Sequence, residues 1–178
     1  AEIKRVPREE FAPAAYRELA FADMNVPLGH GQSMLTPKLE GRILQALALG
    51  PDDAVLEIGT GSGYFAACLG ALARSVKSVE IHPDLAATAR ANLARMDVHN
   101  VTVETADAFA LNGATRYDAV VLTGSLPVYD ARFEAWLAGD VAPTMKKLEG
   151  FARKTHTTVG FLFRDEQLRQ PVKALSGG

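Results

Sequence analysis

Val55-Leu-Glu-Ile-Gly-Thr-Gly-Ser-Gly-Tyr64 is the stretch on which the fold of this chain turns. Val55, Leu56 and Ile58 form a short apolar run of the kind a buried parallel strand shows. Three alternating glycines follow, Gly59, Gly61 and Gly63, and then a helix-compatible stretch from Tyr64 to Ala73. A strand that turns through glycines into a helix lets a ligand lie against bare backbone. The spacing selects the ligand. A dinucleotide fingerprint reads G-x-G-x-x-G, with its third glycine one place later than here. The pattern in this chain is E-x-G-x-G-x-G. Glu57 at the strand end would repel a pyrophosphate and suits a cationic ligand such as a sulfonium or an amino group.

Two further acids extend the pattern. Ser75-Val-Lys-Ser-Val-Glu-Ile81 reads as the next strand, with Glu80 at its end. A carboxylate about 20 residues past the glycines is where α/β nucleotide sites hold ribose hydroxyls. Alone, Glu80 would read as a solvated strand end; with Glu57 and the glycines, the ribose reading is the stronger. Asp107 follows the strand Val101-Thr-Val-Glu-Thr105 and is either a ligand contact or a cap of the next turn.

The 178 residues suffice for one α/β core, and 48% of them are apolar without any run of membrane-spanning length. The net charge of −2 gives no electrostatic case for nucleic acid. Lys146-Lys147 and Arg153-Lys154 read as solvated helix faces. The one cysteine, Cys68, lies on the apolar face of the helix after the glycines. It reads as a buried thiol, excludes an internal disulfide and a thiolate zinc site, and fits a reducing cytoplasm. No signal peptide is evident. The chain opens on Ala1 rather than Met, so its true start is expected upstream.

The rest of the chain alternates β and α patterns. Pro37 to Leu49 carries apolar residues at 39, 43, 44 and 47, one helical face, with Thr36 as N-cap and Pro37 at the first helical position. Ala54–Ile58, Val76–Ile81, Val101–Thr105 and Asp118–Thr123 read as strands, with a late strand over Val159–Phe163. Gly63–Ala73, Leu85–Met96 and a short Asp130–Leu137 read as helices. This order predicts a Rossmann-like, doubly wound, mostly parallel sheet in a single domain over residues 1–178. Residues 1–36 form an N-terminal segment on the substrate side, and 37–178 form the α/β core. After Trp136-Leu137 the segment Ala138-Gly-Asp-Val-Ala142 is too short for a further turn and strand. Either that strand is absent or residues are missing there, and the second is favoured because a sheet lacking an inner strand would leave backbone groups unpaired.

The glycine pattern with its acids resembles motif I of the S-adenosylmethionine (SAM) methyltransferases. A second set of residues narrows the likeness. Phe11-Ala-Pro-Ala-Ala-Tyr16, Ala20-Phe-Ala-Asp23, Pro27-Leu-Gly-His-Gly-Gln32 and Thr36-Pro37 are similar to the N-terminal part of the protein-L-isoaspartate O-methyltransferases. The family pattern there runs approximately F-x-P-x-x-Y, A-Y-x-D and P-L-P-I-G-x-G-Q-T-I-S-x-P. Tyr117-Asp-Ala-Val-Val-Leu-Thr123 continues the match, which covers roughly residues 9 to 137.

The resemblance implies methyl transfer from SAM, leaving S-adenosyl-L-homocysteine, to the carboxylate of an isoaspartyl residue in damaged protein. It implies that SAM is held by Glu57, Ile58, Gly59, Thr60, Gly61, Ser62, Gly63 and Tyr64 of the first turn. Glu80, Ile81 and His82 follow at the ribose and adenine, then Asp107 and Ala108 at the adenine amino group, and Thr123. It implies an acceptor side formed by Gln32, Ser33 and Thr36. An acceptor carboxylate is already ionised at neutral pH, so the chemistry needs alignment rather than a general base. No triad is expected from the four histidines. His30 either meets a substrate carboxylate or is a solvated loop residue, and His82 either borders the adenine or is an exposed strand end. Leu35 departs from the pattern, standing where the family has a serine that helps hold the substrate carboxylate. Ser33 or Thr36 would have to substitute, although Thr36 is also placed to cap a helix. The family's G-D-G reads Ala106-Asp107-Ala108 here. Three readings follow: an isoaspartyl methyltransferase, a methyltransferase of the same lineage with another acceptor such as a small molecule, or a non-catalytic SAM-binding protein. Neither a nucleic-acid nor a membrane partner is expected, and the oligomeric state is not legible.

Overall fold

The computed structural model describes residues 6–111, 115–126, 144–147 and 158–163. The described residues open with two 3-10 turns, Arg8–Glu10 and Ala14–Leu19, and a hairpin of β1 (Val26–Gly29) and β2 (Gln32–Met34). His30 and Gly31 at its tip have φ of 52° and 69°. Positive φ at both central residues is the I′ geometry that matches the twist of the flanking strands.

α1 (Pro37–Leu47) follows, with Thr36 Oγ1 accepting from the Leu39 amide at 3.3 Å and proline at its first position. It stops two residues before the expected Leu49, because Ala48 turns into the left-handed region at φ 47°. β3 (Ala54–Ile58), α2 (Tyr64–Gly70), β4 (Ser75–Glu80), α3 (Pro83–Arg95), β5 (Val101–Thr105) and β6 (Ala119–Leu126) then alternate as the sequence predicts. α2 ends at Gly70 rather than Ala73. The Asn100 side-chain amide donates to the Gly70 carbonyl at 2.8 Å and to that of Ala73 at 3.1 Å, so those carbonyls are capped from outside the helix.

The sheet order is β5-β4-β3-β6-β8-β7, with β7 (Thr144–Lys147) and β8 (Thr158–Phe163). The first four strands are parallel. The last two are antiparallel, with Val121 of β6 opposite Phe161 of β8. This corrects two expectations. Lys146 and Lys147 lie on a strand, not a helix. β6 also needs no further parallel strand, since β8 runs beside it and meets its backbone groups. The reason for expecting absent residues after Leu137 therefore falls away. The helix expected over Asp130–Leu137 lies outside the described residues.

Strand residues alternate between two cores. Val55, Val76, Val103, Ala119 and Val121 pack with α1, α2 and α3, including buried Cys68, whose thiol burial pushes up to about 12. Leu56, Ile58, Val79, Val120 and Leu122 face the other way, against Tyr117 and the 3-10 turn Ala108–Ala110. The chain runs outward from β3 to β5 and then crosses back to β6 on the far side of β3. That is a topological switch point, and ligands of open α/β sheets bind beyond the strand ends there. No described helix is long and apolar enough to cross a membrane.

Candidate functional site

The turn after β3 brings two stretches of backbone into direct contact. Gly59 has φ 105°, and a Cβ on it would lie 2.3 Å from the Gly124 amide nitrogen. Only glycine fits, so this part of the site floor is bare main chain. Glu80 at the end of β4 holds the turn in shape. One of its oxygens accepts from the Gly61 amide at 2.8 Å, the other from the His82 amide at 3.1 Å.

Above the strand ends lies a cavity of about 350 Å³. Ile58, Gly59, Gly61, Glu80, Ile81, His82, Asp107, Ala108 and Thr123 line it, as do Gln32 and Ser33 from the hairpin overhead. The structure thus gathers most of the residues the sequence singled out. Asp107 caps the next turn, its Oδ1 accepting from the Phe109 amide at 2.9 Å, and it also borders the cavity. Leu28, Phe109 and Gly124 also line the cavity and were not picked out by sequence. Gly124 was detectable in principle, as a glycine directly after a strand that ends beside another glycine turn.

A second cavity of about 40 Å³ adjoins the first and shares Leu28, Ser33, Gly59, Gly61 and Thr123 with it. Thr60, Ser62 and Tyr64 line this one rather than the larger. Gly63 lines neither; its Cβ position faces Ala89 of α3 at 3.2 Å, so it serves helix packing.

Glu57 is a correction. Its side chain is fully buried and lines neither cavity. It accepts from the Ser78 hydroxyl at 2.5 Å, and Ser78 in turn meets the Thr60 hydroxyl at 2.6 Å. Burial pushes the Glu57 carboxyl up to about 8, against the hydrogen bond from Ser78. It supports the turn from beneath instead of meeting a cation. Thr36 is also outside both cavities, its hydroxyl committed to the α1 cap. His30 is the exposed loop residue of the two expectations, at the hairpin tip. Its ring stacks on His82 with centroids 4.2 Å apart, and its Nε2 pairs with Asp84 at 2.8 Å. The His30 ring holds the Asp84 carboxyl below the usual carboxylate range. These contacts tie the hairpin tip to the start of α3.

A buried ion pair was missed by sequence. Arg8 is fully buried, bonded through Nε to the Ala20 carbonyl at 2.6 Å and through a terminal nitrogen to the Leu35 carbonyl at 2.6 Å. Its other terminal nitrogen pairs with Glu40, and its guanidinium lies 4.8 Å from the centre of the Tyr64 ring. It thereby joins the N-terminal turns, the loop at Leu35, α1 and α2. Glu40 lines the smaller cavity, and burial raises its carboxyl to about 7 even beside Arg8. The signal for Glu40 was its spacing: it falls on the stripe of Ile43, Leu44 and Leu47, where a solvated acid would not.

The comparisons agree with this layout. The family model described as Protein-L-isoaspartate(D-aspartate) O-methyltransferase (PCMT) matches residues 1–131. A protein-L-isoaspartate O-methyltransferase from Koribacter versatilis is 41% identical over 123 residues, covering 68% of this chain and 55% of the relative. The chain spans about half the length of the curated relatives it matches. A solved protein-L-isoaspartate O-methyltransferase structure shares the fold, with a TM-score of 0.71 at 22% identity over 92% of this chain and 56% of that one. The structure of a Plasmodium falciparum relative in complex with S-adenosyl-L-homocysteine has a TM-score of 0.67 at 18% identity, over 82% of this chain and 73% of that one. With the family model matched across the N-terminal segment, the glycine turn and β6 alike, this chain belongs to the protein-L-isoaspartate O-methyltransferase family.

Proposed function

We infer that the chain is a SAM-dependent O-methyltransferase acting on the carboxylate of isoaspartyl residues in protein or peptide. One observation carries the reading: a single cavity joins Glu80, Asp107 and the bare Gly59 backbone to Gln32 and Ser33 of the hairpin. The residues present fit the cofactor. Glu80 can accept ribose hydroxyls, Ile81, Ala108 and Phe109 offer apolar contacts for an adenine with His82 beside them, and Gly59 leaves space that a Cβ would fill.

SAM supplies an electrophilic methyl on a sulfonium. The chain's part is alignment and exclusion of water. An isoaspartyl carboxylate arrives ionised, so no residue has to remove a proton, and the one buried acid beneath the turn, Glu57, is sealed away from both cavities. With Leu35 unable to donate and Thr36 outside both cavities, Ser33 is the one of these three positions with a hydroxyl at the cavity wall to orient the acceptor, with the Gln32 amide beside it. The single thiol supports a reducing setting such as the cytoplasm.

Methyl transfer from labelled SAM to an isoaspartyl peptide, beside its normal aspartyl twin, tests the reading. Label is expected on the isoaspartyl peptide alone. Leu35→Ser adds a donor near Ser33 and is expected to raise transfer roughly ten- to hundredfold, the worth of one aligned hydrogen bond to a charge. SAM binding without transfer by either protein would sink the isoaspartyl acceptor. Leu35 would then favour a methyltransferase of the same lineage acting on another acceptor.

A further inference from the structure

At Glu40 the structure leaves a carboxylate oxygen at a cavity wall without a donor among the described residues. Glu40 is only 4% exposed, yet it borders the smaller cavity. Arg8 bonds its Oε2, and no described residue donates to its Oε1. The other two guanidinium nitrogens of Arg8 are bonded to the Ala20 and Leu35 carbonyls, so the cation is turned into the N-terminal segment. The cavity in front of Glu40 has room for about one small polar group.

Its position names the group. The two cavities meet over Gly59 and Gly61. Glu80 and Asp107 lie in the larger one, and the smaller one continues past the turn toward α1 and α2. With its adenosine against Glu80 and Asp107, a SAM molecule would extend its amino-acid tail past the glycines, toward the smaller cavity. A carboxylate with a free oxygen attracts an ammonium there and repels a carboxylate. Glu57 cannot take this part, because it lines neither cavity. We propose that Glu40, from α1, binds the ammonium group of the cofactor's amino-acid tail. The assignment rests on the SAM reading above. An ammonium in this cavity would also favour the ionised form of a carboxyl that burial raises to about 7.

Calorimetry with three ligands separates the possibilities. S-Adenosyl-L-homocysteine carries the whole tail, its deamino analogue lacks only the ammonium, and 5′-methylthioadenosine lacks the tail. The wild type is expected to bind S-adenosyl-L-homocysteine roughly ten- to hundredfold more tightly than the deamino analogue, as for a charged hydrogen bond. Glu40→Gln should lose that preference and keep the affinity for 5′-methylthioadenosine, which also reports that the variant is folded. Equal wild-type affinity for the first two ligands overturns the proposal without any variant. So does a folded Glu40→Gln that binds S-adenosyl-L-homocysteine as tightly as the wild type, including one whose only defect is a raised KM for the acceptor. A wild type that binds neither S-adenosyl-L-homocysteine nor 5′-methylthioadenosine overturns the SAM reading itself, and this assignment with it.

Discussion

Glu57→Gln keeps the shape of a fully buried side chain and removes its capacity to ionise. Burial pushes the wild-type carboxyl up to about 8 from an ordinary value of 4.5. Between those values the folded protein holds a proton that the unfolded chain has released. Stability then falls by about 1.4 kcal/mol per pH unit, being fully present below the unfolded value and lost as pH rises toward 8. From pH 5 to pH 8 this amounts to about 4 kcal/mol. Glutamine has no such term, and its carbonyl can still accept from the Ser78 hydroxyl that now sits 2.5 Å from Glu57. Urea unfolding of both proteins without cofactor, at intervals from pH 5 to pH 8, measures the effect. Glu40, raised to about 7, adds its own slope to both proteins, so the difference between them isolates Glu57. The stability of the variant relative to the wild type is expected to rise by about 3–4 kcal/mol across the range. A difference that stays constant within about 0.5 kcal/mol would mean that Glu57 is ionised in the folded protein, and the account of its burial would fail.

Two further substitutions test the scaffold of the site. Gly59→Ala puts a methyl 2.3 Å from the Gly124 nitrogen in a left-handed conformation, so the β3 turn must move away from β6. Binding of S-adenosyl-L-homocysteine is expected to be lost and the thermal midpoint to drop by several degrees; unchanged affinity would refute the close approach. Arg8→Met leaves Glu40 without its cation and the Ala20 and Leu35 carbonyls without their donor, an expected cost of about 3–5 kcal/mol by denaturant titration. A loss under about 1 kcal/mol would show that Arg8 is not the tie between these segments.

What could be read from the chain, and what could not, follows from the range of each signal. The glycine turn, the strand ends at Ile58 and Glu80, and the Thr36 cap are local patterns, and the structure forms them where the residues stand. Glu80 was legible from its spacing past the glycines, while Asp107 and Thr123 were placed beside it by the family resemblance; the β-α order is why their strand ends become neighbours around one cavity. Glu57 was misjudged because its position at a strand end does not say which face it takes. Pleat alternation puts it with Val55 on the helix side, under the turn. Arg8 and Glu40 lie 32 residues apart, and only tertiary packing turns a charged N-terminal stretch inward. The antiparallel pairing of β8 with β6 is likewise non-local, and no spacing in the sequence announces it.

Glu80 carries a consequence for the speed and thermodynamics of ligand capture. A carboxylate offers about four lone-pair positions, and two here already serve the amides of Gly61 and His82. The remaining positions can take ribose hydroxyls without either amide letting go. The turn is thus in its receiving shape before a ligand arrives, and no backbone ordering has to be charged against association. Capture of the adenosine end should be limited by diffusion and by access beneath the hairpin, with a small heat of reorganisation and no slow phase from folding of the glycine turn.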